Sequence, residues 1–445
     1  MRDWLPEDHL ANFVSDIVEQ LDLSAIFAVY AGRSTRGRAG YHPRMMVKLL
    51  IYAYSVGLPS SRKIEKATYE DVAFRVLSGD QHPDHDSIAS FRKTHLKALA
   101  GLFFQVLQLC QKAGLVKLGH ISIDGSKFQA NASKHKAMSY GRMSAAERRL
   151  ESEVKELLKE AERIDAEEDG KYGKGRRGDE LPKEMQRRES RLRKIREARA
   201  ALEAEAKEAA RIKAAEVKKR LEQRAKKEAE TGKKTGGRPP ALPDPKQAKP
   251  DDKAQRNFTD PDSRIMPDGA HKGSFVQAFN AQIAVDSNAQ IIVATSLTQD
   301  TNDKQHLVPM AEKIVKNVGR LADITSADAG YFSERAVEHE ALAATELLVP
   351  PRRKKHDKSS SGEVAKDTAD TAASRMREKL NSTAGHDLYK MRKAIVEPVF
   401  GQIKEVRGLR RFLLRGHEQV SAEFDLFALT HNLLKLFRYG AATAV

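Results

Sequence analysis

The sequence predicts an α/β protein in which helices flank a mixed sheet, with a helical region before the sheet and a helical insertion inside it. Three observations support this. Residues 1–116 have mostly helical periodicity, short strand patterns follow near 121–123, 276–297, 324–327 and 346–349, and residues 144–231 are dominated by Ala, Glu, Lys and Arg. A chain of 445 residues also exceeds what one hydrophobic core usually serves, so we expect more than one domain.

The composition indicates a polyanion as partner. The chain has 78 Lys and Arg against 62 Asp and Glu, a formal net charge of +16. Cations on a protein release counterions when they neutralise phosphates, which favours nucleic acid. Charge alone does not separate this interpretation from a basic protein that binds ribosomal RNA only or nothing in particular.

The same composition excludes several classes of protein. Cys110 is the single cysteine, so an intrachain disulfide and a cysteine-based zinc site are both excluded. Met1–Leu21 lacks an apolar signal core, and no stretch approaches the length of a membrane span. We therefore expect no membrane partner and a cytoplasmic, nucleoid-associated protein.

The N-terminal region, 1–116, is predicted to be a domain of short helices. Pro43 begins a helix over Met45–Tyr54, Ser60–Tyr69 and Glu70–Leu77 follow, and Ser87 can cap another helix. Short helices with turns between them suit a DNA-binding domain of helix-turn-helix type. A plain helical bundle fits the local pattern equally well.

The insertion, 141–232, is predicted to be an antiparallel coiled-coil arm. A capping box, Ser144 to Glu147, begins one helix, a turn is expected at Asp169–Gly178, and a longer helix follows. Such an arm could clamp DNA or a second subunit, and a solvated pair of charged helices is the alternative. Residues 233–257, rich in Gly, Pro and Lys, are predicted to be a basic flexible linker.

The remaining elements, in 117–140 and 258–445, are predicted to form one interrupted catalytic domain. Its first strand, His120–Asp124, ends in an Asp-Gly turn. This strand is followed by a hairpin, a helix, the strand Ile324–Ala327, a short helix, the strand Glu346–Val349 and C-terminal helices. The polar residues 352–386 are expected to be mobile. Without the insertion the order is β-β-β-α-β-α-β-α. The ribonuclease-H fold has this order, so we predict an RNase-H-like mixed sheet.

Three carboxylates in this domain are candidate catalytic residues. Asp124 and Asp328 each follow a predicted strand, and Glu397 precedes Pro398, so it is expected at a helix boundary or kink. Phosphodiester cleavage can use two divalent ions about 3.5–4 Å apart, and hard ions such as Mg²⁺ prefer carboxylate oxygens. Each acid also has an ordinary explanation, as a turn residue or a helix start.

The neighbours of these acids resemble a known family. Three segments around the acids are similar to the motifs of DDE transposases of bacterial insertion sequences, namely Ile123–Lys134, Ala327–Phe332 and Val396–Lys404. His42–His95 and Phe412–Phe437 resemble the two ends of the same proteins. The resemblance covers nearly the whole chain apart from the arm and the linkers.

The resemblance implies a function and a site. Asp124, Asp328 and Glu397 would bind two Mg²⁺ (or Mn²⁺) ions in an RNase-H-like core. The enzyme would cleave double-stranded DNA at the terminal inverted repeats of the element and transfer the freed strand into target DNA. A homodimer on DNA is expected, because two DNA ends must be paired.

Several cations are predicted to contact DNA phosphates. Lys404 fits the family's lysine, seven residues after Glu397, whereas Tyr389 and Arg392 are one place off the usual spacing, and Lys393 occupies the basic position instead. An exposed cationic helix face is the alternative for these residues. The predicted contacts are Lys127, Lys134, Lys136, Arg392, Lys393 and Lys404.

Other interpretations remain open from the sequence. One is an RNase-H-fold nuclease or resolvase that releases cut DNA without strand transfer. A second is a basic coiled-coil DNA-binding protein without activity, and a third is an inactive transposase copy. Beside these, Asn302 or Asp303 is expected to cap a helix, with His306 on the polar surface.

Overall fold

The computed structural model describes residues 1–31, 40–172, 183–232, 237–268, 271, 273–352 and 371–442. Part of the turn predicted at Asp169–Gly178, part of the linker and the polar residues 353–370 lie outside the described residues. The chain divides into two compact units, 1–131 with 266–445, and 132–265. The N-terminal helices and the main sheet therefore share one unit, and the domain boundaries inferred from sequence stay predictions.

The first unit begins with helices, as the sequence predicts. The longest of these early helices, α6, is capped by Asp84, whose carboxylate accepts from the Ser87 amide at 2.7 Å, so the cap lies three residues before the one expected. Gly79 ends α5 in the left-handed region at φ 61°. The helices are α1 (Leu10–Gln20), α2 (Ser24–Ala31), α3 (Pro43–Ser55), α4 (Ser61–Glu70), α5 (Val72–Ser78) and α6 (His85–Lys112).

The second unit contains a pair of long helices, α7 (Tyr140–Tyr172) and α8 (Lys183–Thr231). They run antiparallel, because Glu147 pairs with Arg196 at 3.0 Å while Glu153, further along α7, pairs with the earlier Arg188 at 3.4 Å. Their shared core is made of Met143, Leu150, Leu192, Ile195, Ala198 and Leu202.

The predicted start of α7 is wrong. The helix begins at Tyr140, and the Ser144 hydroxyl donates to the Tyr140 carbonyl at 3.1 Å from inside the helix. A serine in the first turns satisfies its own hydroxyl in this way, so the capping-box pattern did not mark the boundary. The coiled-coil character of the pair stays a prediction.

Eight strands are present among the described residues, in two sheets. They are β1 (His120–Gln129), β2 (Ala137–Ser139), β3 (Gln255–Asn257), β4 (Arg264–Pro267), β5 (Phe275–Asp286), β6 (Ile292–Thr298), β7 (Ile324–Ala327) and β8 (Glu346–Leu348). β2 and β3 form a small separate sheet. The main sheet has the order β4-β5-β1-β7-β8, with β6 also paired to β5.

The main sheet is mixed. β1 pairs antiparallel with β5 and parallel with β7, and β7 pairs parallel with β8. The predicted hairpin is confirmed as β5 and β6. β1 is therefore the central strand, with the hairpin on one side and the parallel strands on the other.

β1 continues well past its predicted end at Asp124. It stays paired with β5 as far as Gln129, so Asp124-Gly125 lies inside the ladder and does not form a turn. A Cβ at Gly125 would lie 2.4 Å from Gln282 Nε2, so the glycine here permits the close approach of a neighbouring side chain. Long-range pairing thus overrides the local turn preference of the Asp-Gly pair.

The later helices cover the sheet. They are α9 (Leu307–Val318), α10 (Glu334–Val337), α11 (Ala372–Asn381), α12 (Thr383–Gly401) and α13 (His417–Ala442), and a π-helical turn, Gln402–Val406, extends α12. α13 packs against α6, α3 and β6. The expectation of a mobile segment is wrong for 371–386, where α11 buries Ala372 and Met376. Among the described helices, none is long and apolar enough to cross a membrane.

Candidate active site

Two of the predicted carboxylates lie side by side where β1 and β7 meet. Ile123 on β1 is the register partner of Ala327 on β7, so the next residues, Asp124 and Asp328, occupy adjacent positions. Neighbouring strands lie about 4.8 Å apart. β1 and β7 are thus neighbouring strands, which is the arrangement that a site shared by the two aspartates needs.

Asp124 is held by a cation and is largely buried. Its carboxylate accepts from the Gly125 amide at 2.8 Å and from Nη1 of Arg392 at 3.0 Å. Burial and the nearby Asp328 raise the pKa of Asp124 and Arg392 lowers it, with a net pKa of about 6. A positive charge beside the two carboxylates, Asp124 and Asp328, is therefore stabilising.

The pair fits a divalent cation by its donor chemistry. Carboxylate oxygens are the hard donors that Mg²⁺ prefers, and Mg²⁺ is commonly held by one or two carboxylates together with substrate phosphates. The Gly330 amide donates to Asp328 Oδ1 at 2.7 Å, and this hydrogen bond fixes the Asp328 side chain at the start of a 3₁₀ turn. Asp124 and Asp328 are therefore residues that could hold such an ion.

A third carboxylate, Asp303, lies beside this pair and was not among the predicted site residues. Its Oδ1 would be 2.9 Å from a Cβ at Gly125, and its Oδ2 would be 3.2 Å from a Cβ at Gly330. Gly125 directly follows Asp124, and Gly330 lies two residues after Asp328. A side chain at either position would force the Asp303 carboxylate to shift.

Amides from β5 hold Asp303 in place. Asn280 Nδ2 and Gln282 Nε2 donate to Asp303 Oδ1 at 2.8 Å and 2.7 Å. The Tyr331 hydroxyl donates to the Gln282 side-chain oxygen, and burial followed by the charge of Asp303 raises the pKa of Tyr331.

The predicted capping role of Asp303 is therefore wrong. α9 has His306 at its N-cap and no side-chain cap bond, because the Asp303 carboxylate turns to the β5 amides. The sequence signal that could have found this network is the pair Asn280 and Gln282, two polar residues spaced by two within the mostly apolar run of β5.

Glu397 is placed differently from the two aspartates. It lies inside α12 with its side chain exposed, so the expected helix boundary is wrong. Pro398 is tolerated within the helix because the Ala394 carbonyl, which a residue 398 amide would satisfy, accepts instead from Gln290 Nε2 at 3.0 Å.

The structure does not bring Glu397 into contact with the aspartate pair. Among the described residues, Glu397 makes no hydrogen bond or ion pair, and no three His, Cys, Asp or Glu side chains are grouped to hold a metal ion. The three-acid site stays a prediction.

The cations of α12 contact β1 on either side of Glu397 in sequence. Arg392 pairs with Asp124, and its guanidinium carbon lies 5.9 Å from the Tyr389 ring centroid, whereas Lys393 is exposed. The cation that contacts Asp124 is thus Arg392, which lies one place off the family's usual spacing, and not Lys393.

Lys404, in the π-helical turn, donates to Ser126 Oγ at 2.6 Å and to the Lys127 carbonyl at 3.1 Å. Burial lowers the pKa of Lys404, and its ammonium lies 4.5 Å from the Phe128 ring centroid. Lys127 itself is half-buried on β1.

Lys134 and Lys136, the other two predicted DNA contacts, belong to the second unit. Both are exposed in a 3₁₀ turn that precedes β2.

Comparison with known families gives two matches. Residues 1–94 match the family model Transposase domain (DUF772), and residues 351–437 match the model Transposase DDE domain. Comparisons with curated proteins and with solved structures found no match. The two family matches confirm the resemblance to DDE-type insertion-sequence transposases. The second match includes Glu397, Arg392 and Lys404.

Proposed function

We propose that the chain is a DDE-type insertion-sequence transposase, which cuts the ends of its element and joins them to target DNA in a reaction that depends on divalent cations; the matches to a transposase domain and a transposase DDE domain support this. The observation that carries this proposal is the placement of Asp124 and Asp328 at adjacent positions of two parallel strands. Carboxylates from distant parts of a chain meet at one sheet position when they hold ions for phosphoryl chemistry.

The sheet supports an RNase-H-like assignment. Its central strand β1 has the antiparallel hairpin of β5 and β6 on one side and the parallel strands β7 and β8 on the other, and β4 also pairs with β5. Antiparallel pairing of β1, β5 and β6, combined with the parallel strands, is what the sequence led us to expect of that fold.

The reaction needs no nucleophile from the protein. In the first step a water oxygen bonds to the phosphorus at the element's end, and the bond from phosphorus to the 3′-oxygen breaks. In the second step that 3′-hydroxyl bonds to a target phosphorus and displaces a target 3′-oxygen. The chemistry that bound divalent ions supply is Lewis acidity at the phosphate and a lowered pKa of the attacking water.

The chain's own residues position these groups. Asp124 and Asp328 would hold the ions, and Glu397 is assigned as the third carboxylate because it lies on α12 between Arg392 and Lys404, both of which contact β1. The cations that would contact phosphates near the cut are Arg392, Lys393, Lys404 and Lys127. Lys134 and Lys136 would contact DNA from the second unit, and the protein would pair two DNA ends as a homodimer.

The test is a cleavage-and-joining assay on the flanking DNA ends with Mg²⁺ and then Mn²⁺. Asp328→Asn keeps an oxygen for the Gly330 amide but removes the charge, so we expect cutting and joining to fall by at least about a thousandfold. Asp323→Asn, at the opposite end of β7 and largely exposed, is the matched control and should act as the wild type.

Each outcome separates the alternatives. Cutting without joining would favour a nuclease or resolvase. DNA binding without metal-dependent cutting in any variant would favour an inactive or purely architectural protein. Loss of activity in Glu397→Gln, with DNA binding kept, would support Glu397 as the third carboxylate.

A further inference from the structure

The second unit contains a groove that is lined by several cations and by no acidic residue among the described residues. It has a volume of about 930 Å³ and lies between the β2–β3 sheet and α8. Its charged walls are formed by Lys136 on one side and by Arg187, Arg191 and Lys194 on the other, and no Asp or Glu is among the described residues that line it.

The neighbouring groove of the same unit shows that this charge does not follow from composition alone. That groove, of about 740 Å³, lies along the same two helices and is lined by three acids and three bases. They are Glu151, Glu189, Glu197, Lys155, Arg193 and Arg196. One side of α8 is thus balanced in charge, whereas the groove on its other side is cationic.

The cationic wall on α8 is regular. Arg187, Arg191 and Lys194 are spaced at i, i+4 and i+7, which places them on one helix face. Seven residues of helix span about 10.5 Å, close to three base steps of a DNA strand at about 3.4 Å each. All three side chains are exposed and can reach a strand of phosphates.

The opposite wall is fixed by hydrogen bonds. The Phe258 amide donates to the Lys136 carbonyl at 3.0 Å, and Asn257 Nδ2 donates to the Ser133 carbonyl at 2.8 Å. The floor residue Ile195 is fully packed in the core of the helix pair. A preformed groove of this kind loses little conformational entropy when a ligand binds.

We propose that this groove, lined by Lys136, Arg187, Arg191 and Lys194, binds the phosphodiester backbone of duplex DNA. The proposal rests on the proposed function for its choice of DNA, and it adds a binding surface outside the unit that holds Asp124 and Asp328. Contacts of this kind read no sequence, so the groove contributes affinity and position on any duplex.

The experiment uses the full-length protein and a duplex of arbitrary sequence. The groove variant is Arg187→Gln, Arg191→Gln and Lys194→Gln together. The matched control is Lys213→Gln, Lys218→Gln and Lys219→Gln, three exposed cations further along α8. Binding is measured over a series of salt concentrations, and thermal unfolding checks that both variants fold as the wild type does.

Removal of one phosphate contact should reduce the slope of log affinity against log salt by about 0.9. We therefore expect the slope of the groove variant to fall by about two to three and its affinity near 0.1 M salt to fall about tenfold or more, beyond any change in the control.

A groove variant that keeps the salt slope and the affinity of the control would overturn the proposal. So would an equal loss of affinity in both variants, since that would indicate general charge rather than a site. If the wild type binds DNA with the predicted slope but never cuts it with metal, the proposed function fails and the groove stands. Asp328→Asn should abolish cutting while leaving the salt slope unchanged.

Discussion

At the residue scale, the candidate site depends on which side chains the fold leaves room for. Gly125 and Gly330 both lie against Asp303, and a side chain at either would displace it. The buried amide of Gln282 donates to Asp303, and that of Asn280 donates both to Asp303 and to the Asp300 carbonyl. Asp303 is therefore the residue whose removal should most disturb the geometry around Asp124 and Asp328.

Asp303→Ala should lower the free energy of unfolding by about 1–3 kcal/mol, because the buried Gln282 amide loses its acceptor and the Asn280 amide loses one of its two acceptors. Asp303→Asn, whose side-chain oxygen can still accept both bonds, should stay within about 1 kcal/mol of the wild type. Denaturant unfolding measures both, with the exposed neighbour Asn302→Ala as control. Equal stability of Asp303→Ala and the control would show that the amide network is not structural.

Arg392 and Lys393 are adjacent cations with different surroundings, which gives a second prediction. Arg392→Gln leaves the buried Asp124 carboxylate without its cation, so we expect a loss of about 2–3 kcal/mol in unfolding free energy. Lys393→Gln removes the same charge from an exposed position and should change stability by less than about 0.5 kcal/mol. Parallel denaturant titrations without added metal would compare the two, and a larger loss for Lys393→Gln would contradict the assignment.

The sequence could predict the paired aspartates because each follows a short alternating pattern of strand residues that is local in the chain, even though β1 continues past Asp124. It could not predict Asp303, since the partners that hold it lie on β5, 23 and 21 residues earlier in the chain. Local pattern instead favoured a helix cap for a polar residue before an amphipathic helix. Likewise the motif spacing favoured Lys393, whereas the helix turns Arg392 toward Asp124.

At the scale of elements, helices and the hairpin follow from periodicity, but element ends depend on distant partners. The extension of β1 beyond Asp124 comes from pairing with β5, and α12 passes through Pro398 because Gln290 supplies the missing donor. Gln290 is itself fixed by Lys435, whose ammonium donates to its side-chain oxygen at 2.8 Å. α13 thus supports the part of α12 that carries Glu397.

The contact of α13 with β6 should depend on pH. Thr295 Oγ1 donates to Asp425 at 2.6 Å, and burial raises the pKa of Asp425 to about 6. Because the folded pKa exceeds the ordinary value of 3.8, the folded protein binds the extra proton between about pH 4 and 6, and this carboxyl destabilises the fold as pH rises through that window.

Asp425→Asn should therefore stabilise the protein at pH 7.5 by about 1–3 kcal/mol and have little effect near pH 4. The lower end of this range is favoured, because the variant also removes a charge that compensates the buried Lys313 ammonium. Unfolding free energies of both proteins at the two pH values measure the effect. A constant difference between the variants at both pH values would rule out titration of Asp425 as its cause.

At the scale of the whole molecule, the second unit is inserted into the first by two chain connections, near 131 and 266. Both connections leave the main sheet beside the start of β5, since the Ala130 amide donates to Gln277 and β4 is paired to β5. The two connections therefore lie on either side of β5, and two strand spacings place them about 10 Å apart. A flexible linker of about eight residues, with an r.m.s. length near 15 Å, can span this distance.

Replacing residues 132–265 by such a Gly/Ser linker should therefore leave the first unit folded, because the cores of the two units are separate. We expect a single cooperative unfolding transition and the far-UV spectrum of a mixed α/β protein. DNA affinity should fall, with a reduction in salt slope at least as large as that of the groove variant, since Lys134 and Lys136 are removed together with the groove. Aggregation or a non-cooperative transition would show that the first unit needs the second to fold, whereas unchanged affinity would place the main DNA contacts on the first unit, with Lys127 and Lys404.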